Sequence, residues 1–157
     1  MSVFADSSAI VKLYADEEGH EKVRGLAALA VAEIARVEVP AAFWRKHRIG
    51  EIGAEDARVL TAEFESDYYG GAEVGGGVAG QVGEEEPKFA VVATTSEILD
   101  QAATLCAVHG LRAYDAVQLS TALATRRADP ECSTLEAFDS SLRGAASAEG
   151  FQLLPEY

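Results

Sequence analysis

The chain has 157 residues, with 13 Lys and Arg against 26 Asp and Glu, for a formal net charge of −13. At about 150 residues per domain the length fits one domain, and 48% hydrophobic with 25% charged residues excludes disorder along the whole chain. The acidity excludes a protein that coats nucleic acid non-specifically, because that affinity comes from Lys and Arg neutralising phosphates.

Val3-Phe4-Ala5 is a short apolar run whose β-branched and aromatic content suits a buried strand, and it ends on Asp6. Ser7 to Tyr14 places Ile10, Val11 and Tyr14 at helical spacing. The acidic stretch 16–28 reads as a helix, and Leu29 to Ala32 as a second strand. Over 33–48, Ile34, Val37, Ala41 and Trp44 recur at three- and four-residue intervals, as an amphipathic helix requires. Pro40 lies inside that run, so the helix either begins near Arg36 or kinks at the proline. A further helix is expected over 54–68.

Composition changes at Gly70. The glycine-rich run through Gly80 leads into Glu84-Glu85-Glu86-Pro87 and matches neither G-x-G-x-x-G nor G-x-x-x-x-G-K-[ST]. Residues 70–87 therefore read as a solvated loop inserted into one domain that spans 1–157. Phe89 to Ala93 is the best strand in the sequence. Thr94 with Glu97 forms a capping-box pattern for a helix reaching His109, where Gly110 supplies the stop. A helix over 113–127, a strand over 134–138 ending on Asp139, a helix over 140–147 and a strand over 151–154 complete the chain. The alternation of strand and helix predicts an α/β domain with a mainly parallel sheet.

Cys106 and Cys132 stand in no metal-binding spacing and read as two small, partly buried thiols in a reducing compartment. The N-terminus meets an acid at once and lacks a basic, then apolar, leader pattern. No stretch approaches the ~20 apolar residues of a membrane span. These features predict a cytoplasmic protein with no membrane partner. His20, His47 and His109 lie far apart and have no convincing Ser or Cys partner for a nucleophile triad.

In an open parallel sheet, ligands bind beyond the carboxyl ends of the strands. Asp6 and Asp139 each follow a predicted strand there, Asp115 occupies a helix's first turn, and Glu38 shares a helix face with Ala42 and Arg45. Four acids from four segments suit one hard cation such as Mg²⁺. The plainer alternative stays open: Asp115 as a helix-start residue, Asp139 as an N-cap, and Glu38 with Arg45 as a solvated pair. Tyr14 and Trp44 read as core or interface aromatics.

Four segments carry a family resemblance. Phe4-Ala5-Asp6-Ser7-Ser8-Ala9-Ile10-Val11-Lys12-Leu13-Tyr14 resembles the first motif of the PIN-domain ribonucleases, specifically the VapC toxins of type II toxin–antitoxin pairs. Arg36-Val37-Glu38-Val39-Pro40-Ala41-Ala42 resembles the second, and Gly110-Leu111-Arg112-Ala113-Tyr114-Asp115-Ala116-Val117-Gln118-Leu119 the third. Phe138-Asp139-Ser140-Ser141-Leu142 resembles the fourth, with Ala137 where the family usually has threonine. The resemblance implies a three-layer α/β/α sandwich that binds one or two Mg²⁺ or Mn²⁺ ions. It implies Asp6, Glu38, Asp115 and Asp139 as metal-site residues, with Asp6 and Asp115 as direct ligands. It further implies hydrolysis of RNA, a cognate antitoxin whose segment fills the acidic groove, and a homodimer. Ser7 and Ser8 are expected to bond a carboxylate or phosphate, or to cap the helix, and Arg45 to contact phosphate or stay an exposed pair. Two other functions remain open from the sequence: a non-catalytic PIN-like binding module, and a metal-dependent nuclease or phosphatase acting on DNA or small phosphoesters.

Overall fold

Five short strands run parallel in one sheet: β1 (Val3–Ala5), β2 (Leu29–Ala32), β3 (Phe89–Val92), β4 (Thr134–Glu136) and β5 (Gln152–Leu154). Their order is β3-β2-β1-β4-β5. This computed structural model describes residues 2–26, 28–70 and 88–156, and the glycine-rich segment read as a solvated loop falls almost wholly outside them. Parallel strands cannot be joined by hairpins, so each connection is a crossover. The crossovers carry α1 (Ser7–Tyr14), α2 (His20–Val23), α3 (Ala35–Arg48), α4 (Ala54–Tyr69), α5 (Ser96–His109), α6 (Ala113–Ala128) and α7 (Ser140–Ala148).

The two-residue period of the strands divides the core. Phe4, Ala30, Ala32 and Leu135 point to one face, where they pack with Ala102, Leu119 and Leu142 of α5, α6 and α7. Val3, Ala5, Leu29 and Val31 point to the other, against Ile10, Phe43 and Phe64 of α1, α3 and α4. The result is the expected three-layer α/β/α arrangement. Because β1 sits at the centre and is buried on both faces, it reads as a continuous apolar run. Tyr14 belongs to this core: its ring meets Phe43 and Phe64 edge-on at 6.3 and 5.9 Å.

Several boundaries differ from the sequence reading, each for a local reason. The helix expected over 16–28 shrinks to the four residues of α2. Gly19 precedes it at φ +87 and Gly25 follows it, and glycine in a helix interior is unfavourable. Helix α3 starts at Ala35, next to Arg36 as one of the two expectations had it, while Glu33 stays with the sheet, its N–H donating to the Val92 carbonyl at 2.9 Å and its carboxylate accepting the Thr94 N–H at 3.0 Å. It runs unbroken through Pro40, whose missing N–H would have served the carbonyl of exposed Arg36. The cap of α5 is Thr95, not Thr94: its hydroxyl accepts from Ile98 N–H at 3.3 Å. Strand β4 stops at Glu136, three residues short of Asp139. Among the described residues no helix is long and apolar enough to cross a membrane, and Cys106 and Cys132 are free thiols.

Candidate functional site

The chain lays down β1, β2 and β3 toward one edge of the sheet, then returns to place β4 on the other side of β1. That reversal opens a crevice beyond the carboxyl ends of β1 and β4, where an open α/β sheet binds its ligands. Asp6 lies there directly after β1, and its backbone N–H donates to the Glu136 carbonyl at 3.0 Å.

Asp6 is the N-cap of α1. Its Oδ1 accepts from Ala9 N–H at 3.0 Å and from the Ser8 hydroxyl at 2.7 Å. The side chain is nonetheless buried, and burial pushes its carboxyl up to about 7 against the lowering effect of these bonds, with nearby Glu38 adding repulsion. Glu38, in the first turn of α3, accepts from the Ser7 hydroxyl at 2.7 Å and from the Gln118 amide at 2.6 Å. The same amide reaches Ser7 Oγ at 2.9 Å. Ser7 and Ser8 thus both bond carboxylates, while the cap is Asp6 itself.

Asp115 and Asp139 form a second pair. Asp139 caps α7, accepting from Ser141 and Leu142 N–H at 2.9 and 3.0 Å. The exposed Arg112 guanidinium spans the two, with Nε 2.9 Å from Asp115 and Nη2 3.3 Å from Asp139. The pairs are neighbours along the chain at two points. Ser8, bound to Asp6, accepts the Phe138 N–H at 3.0 Å beside Asp139, and Gln118 follows Asp115 by about one turn of α6. Asp139 serves as an N-cap whatever else it does. The expected Glu38–Arg45 pair is absent among the described residues, because Glu38 is taken by Ser7 and Gln118.

The donor set is all oxygen and suits a hard divalent cation in kind. As the side chains stand, no three His, Cys, Asp or Glu side chains among the described residues come together closely enough to hold a metal ion. Asp6 with Glu38 and Asp115 with Asp139 remain two pairs, the second already bridged by a guanidinium.

Three participants escaped the sequence reading. Glu136, the last residue of β4, is fully buried with both carboxylate oxygens lacking any partner. Burial, and then repulsion from Asp6, pushes its carboxyl up to about 7. An acid in the middle of a predicted buried strand was the available signal. Gln118 and Arg112 were legible only as the residues about one helical turn either side of Asp115. Because Gln118 is buried and donates to a carboxylate, Gln118→Leu is expected to lower stability by about 1–3 kcal/mol in denaturant unfolding.

No family model matches the chain, and no curated protein matches it. A solved structure is similar in fold: a chain of a toxin–antitoxin complex from Klebsiella pneumoniae, with a TM-score of 0.52 and 14% sequence identity. The likeness covers 88% of this chain and 87% of that one.

Proposed function

We propose that the chain is a metal-dependent endoribonuclease of PIN type, the toxin of a toxin–antitoxin pair. The observation that carries this reading is the placement of the four motif acids around the sheet's switch point, each held by a polar neighbour. Ser8 bonds Asp6, Ser7 and Gln118 bond Glu38, and Arg112 bridges Asp115 and Asp139. The structural neighbour, a chain of a toxin–antitoxin complex, supports the toxin–antitoxin part of this reading. A small inhibitory protein partner and a homodimer follow from the same reading, as does a cytoplasmic location.

In this reading Asp6, Glu38, Asp115 and Asp139 would hold Mg²⁺ or Mn²⁺. Such an ion, when bound, lowers the pKa of a water and neutralises charge on the phosphoryl oxygens. The chain's own residues set up the rest. Ser8 and Ala9 N–H fix the Asp6 carboxylate, and Ser7 with Gln118 fix Glu38. Arg112 bridges Asp115 and Asp139 and offsets part of their charge until a cation or a phosphate engages them. Water oxygen attacks phosphorus in line, the bond to the 3′-oxygen breaks, and that oxygen takes a proton. The products carry 5′-phosphate and 3′-hydroxyl ends, and the RNA 2′-hydroxyl is not the nucleophile.

The test is hydrolysis of a structured RNA with and without Mg²⁺, with end-group analysis of the fragments. Cleavage is expected to vanish in chelator and to fall at least about a hundredfold in Asp115→Asn, a variant whose side chain keeps its size. Equal cleavage of DNA would point to a general nuclease. The bridge from Arg112 to two of the four acids favours a second reading, a non-catalytic PIN-like binding module. Full activity in Asp115→Asn, or none in the native chain with metal, would decide for it.

A further inference from the structure

A cavity of about 430 Å³ opens between α1 and α3 and borders Asp139. Ser8, Lys12, Arg45, Lys46 and Ile49 are among its lining residues. Three of the chain's 13 cations line this groove together with three carboxylates, Glu17, Glu51 and Asp139. The cations are not equivalent. Lys12 is spoken for by the Glu17 carboxylate at 3.0 Å and the Glu18 carbonyl at 2.7 Å. Lys46 is held by Glu17 and by Glu51. Arg45 is exposed and makes no hydrogen bond or ion pair among the described residues. It lies seven residues from Glu38, two turns or about 10 Å along the same face of α3.

We propose that this groove is a phosphodiester subsite: it takes the backbone of a polynucleotide running out of the acidic crevice, with Arg45 as its phosphate contact. The proposal rests on the ribonuclease reading and assigns the side on which the strand leaves the site. A guanidinium matches the fork geometry of a phosphate and keeps its charge at any working pH. The Lys12–Glu17–Lys46–Glu51 network cancels its own charge, and Asp139 is held by Arg112, so among the described residues Arg45 is the groove's cation without a bonded partner. Val11, Phe138 and the half-exposed Ile49 supply an apolar wall for the sugar edge. The helix dipole also favours cations in the last turn of α3, where Arg45 to Arg48 lie. That accounts for the charge without requiring a cavity next to Asp139. Because the chain as a whole repels a polyanion, the position of this cation matters more than the total charge.

The experiment measures binding of a labelled single-stranded RNA of about 12 nucleotides to the full chain at low salt in chelator, so that no cleavage intervenes. Arg45→Gln is expected to weaken binding about tenfold and to flatten the log affinity against log salt slope by about one unit. Arg127→Gln, at the far end of α6, makes the same charge change away from the groove and is expected to weaken binding by less than about threefold. Equal losses in the two variants, or no detectable RNA binding by the native chain, would overturn the proposal. So would an oligoglutamate peptide that binds as well as RNA and loses as much affinity in Arg45→Gln, since the groove would then suit an acidic protein segment. The cleavage assay with Asp115→Asn decides the ribonuclease reading on its own, so the two failures are distinguishable.

Discussion

Divalent metal binding is expected to tighten about tenfold per pH unit up to about pH 7 and to level off by about pH 8, as one proton is displaced from the site. The proton is that of Asp6, whose carboxyl burial pushes from the ordinary 3.8 to about 7. The sign follows from linkage. A carboxyl with a raised folded pKa contributes stability below its unfolded pKa, and that contribution is lost as pH rises through the folded one. The metal-free protein therefore weakens between about pH 4 and pH 7, and it is above pH 7 that a bound cation has most to offer. Two backbone or hydroxyl donors already serve Asp6, so hydrogen bonding alone does not offset its desolvation; only a full positive charge would. Asp6→Asn keeps the N-cap acceptor and the size of the side chain but removes this proton. Calorimetric titration with Mn²⁺ at pH 6 and pH 8 should show tighter binding at the higher pH in the native chain. In Asp6→Asn, binding is expected to be at least about tenfold weaker at pH 8 and nearly independent of pH. Native-chain affinity that does not change between the two pH values would remove Asp6 from the metal site.

The fold was readable in the sequence because the elements that define it are the most strongly patterned. Val3-Phe4-Ala5 and Leu29 to Ala32 are apolar runs of strand length because their strands bury both faces, and Phe89 to Val92, at the sheet edge with Val91 exposed, is marked by its aromatic and β-branched residues. What could not be read was the way neighbours alter an element's end. Glu33 stays with the sheet, bonding Val92 through its N–H and Thr94, 61 positions away, through its carboxylate, and no local propensity records those bonds. The site divides the same way. Each motif acid sits at an element terminus, a position that turn and cap chemistry marks in the sequence. Gln118 and Glu136 gain their significance from long-range packing, Gln118 across 80 residues to Glu38 and Glu136 through the β1–β4 pairing that sets it opposite Ala5. Helical and strand periods identify the faces on which they lie but not the neighbour each face will meet. Arg112 was hidden for a different reason: before a helix, a lone arginine looks the same whether it faces solvent or clamps two carboxylates.

Glu136→Leu is expected to stabilise the metal-free protein by about 2–3 kcal/mol at pH 8, raising the melting temperature by about 4–12 °C. The native side chain is fully buried on the β1–β4 seam, and neither carboxylate oxygen has a partner. Its carboxyl is pushed from 4.5 to about 7, so ionising it in the folded protein costs about 3 kcal/mol relative to the unfolded chain. Part of that cost is repulsion from Asp6, which leucine also relieves. Leucine has a similar volume, so packing changes little. The gain should be smaller at pH 5, where the carboxyl is protonated when folded and only an unsatisfied neutral group is removed. Glu136→Gln separates the two contributions. It leaves an unpartnered polar group in place, so it should match the native chain near pH 5 and exceed it at pH 8. Melting temperatures of the three proteins at both pH values check this. If leucine lowered the melting temperature at pH 8 while glutamine did not, the polar head would be supporting the crevice through a bond that forms only in solution. The orphaned acid beside Asp6 would then belong to the machinery of the site, not to a strain the sheet tolerates.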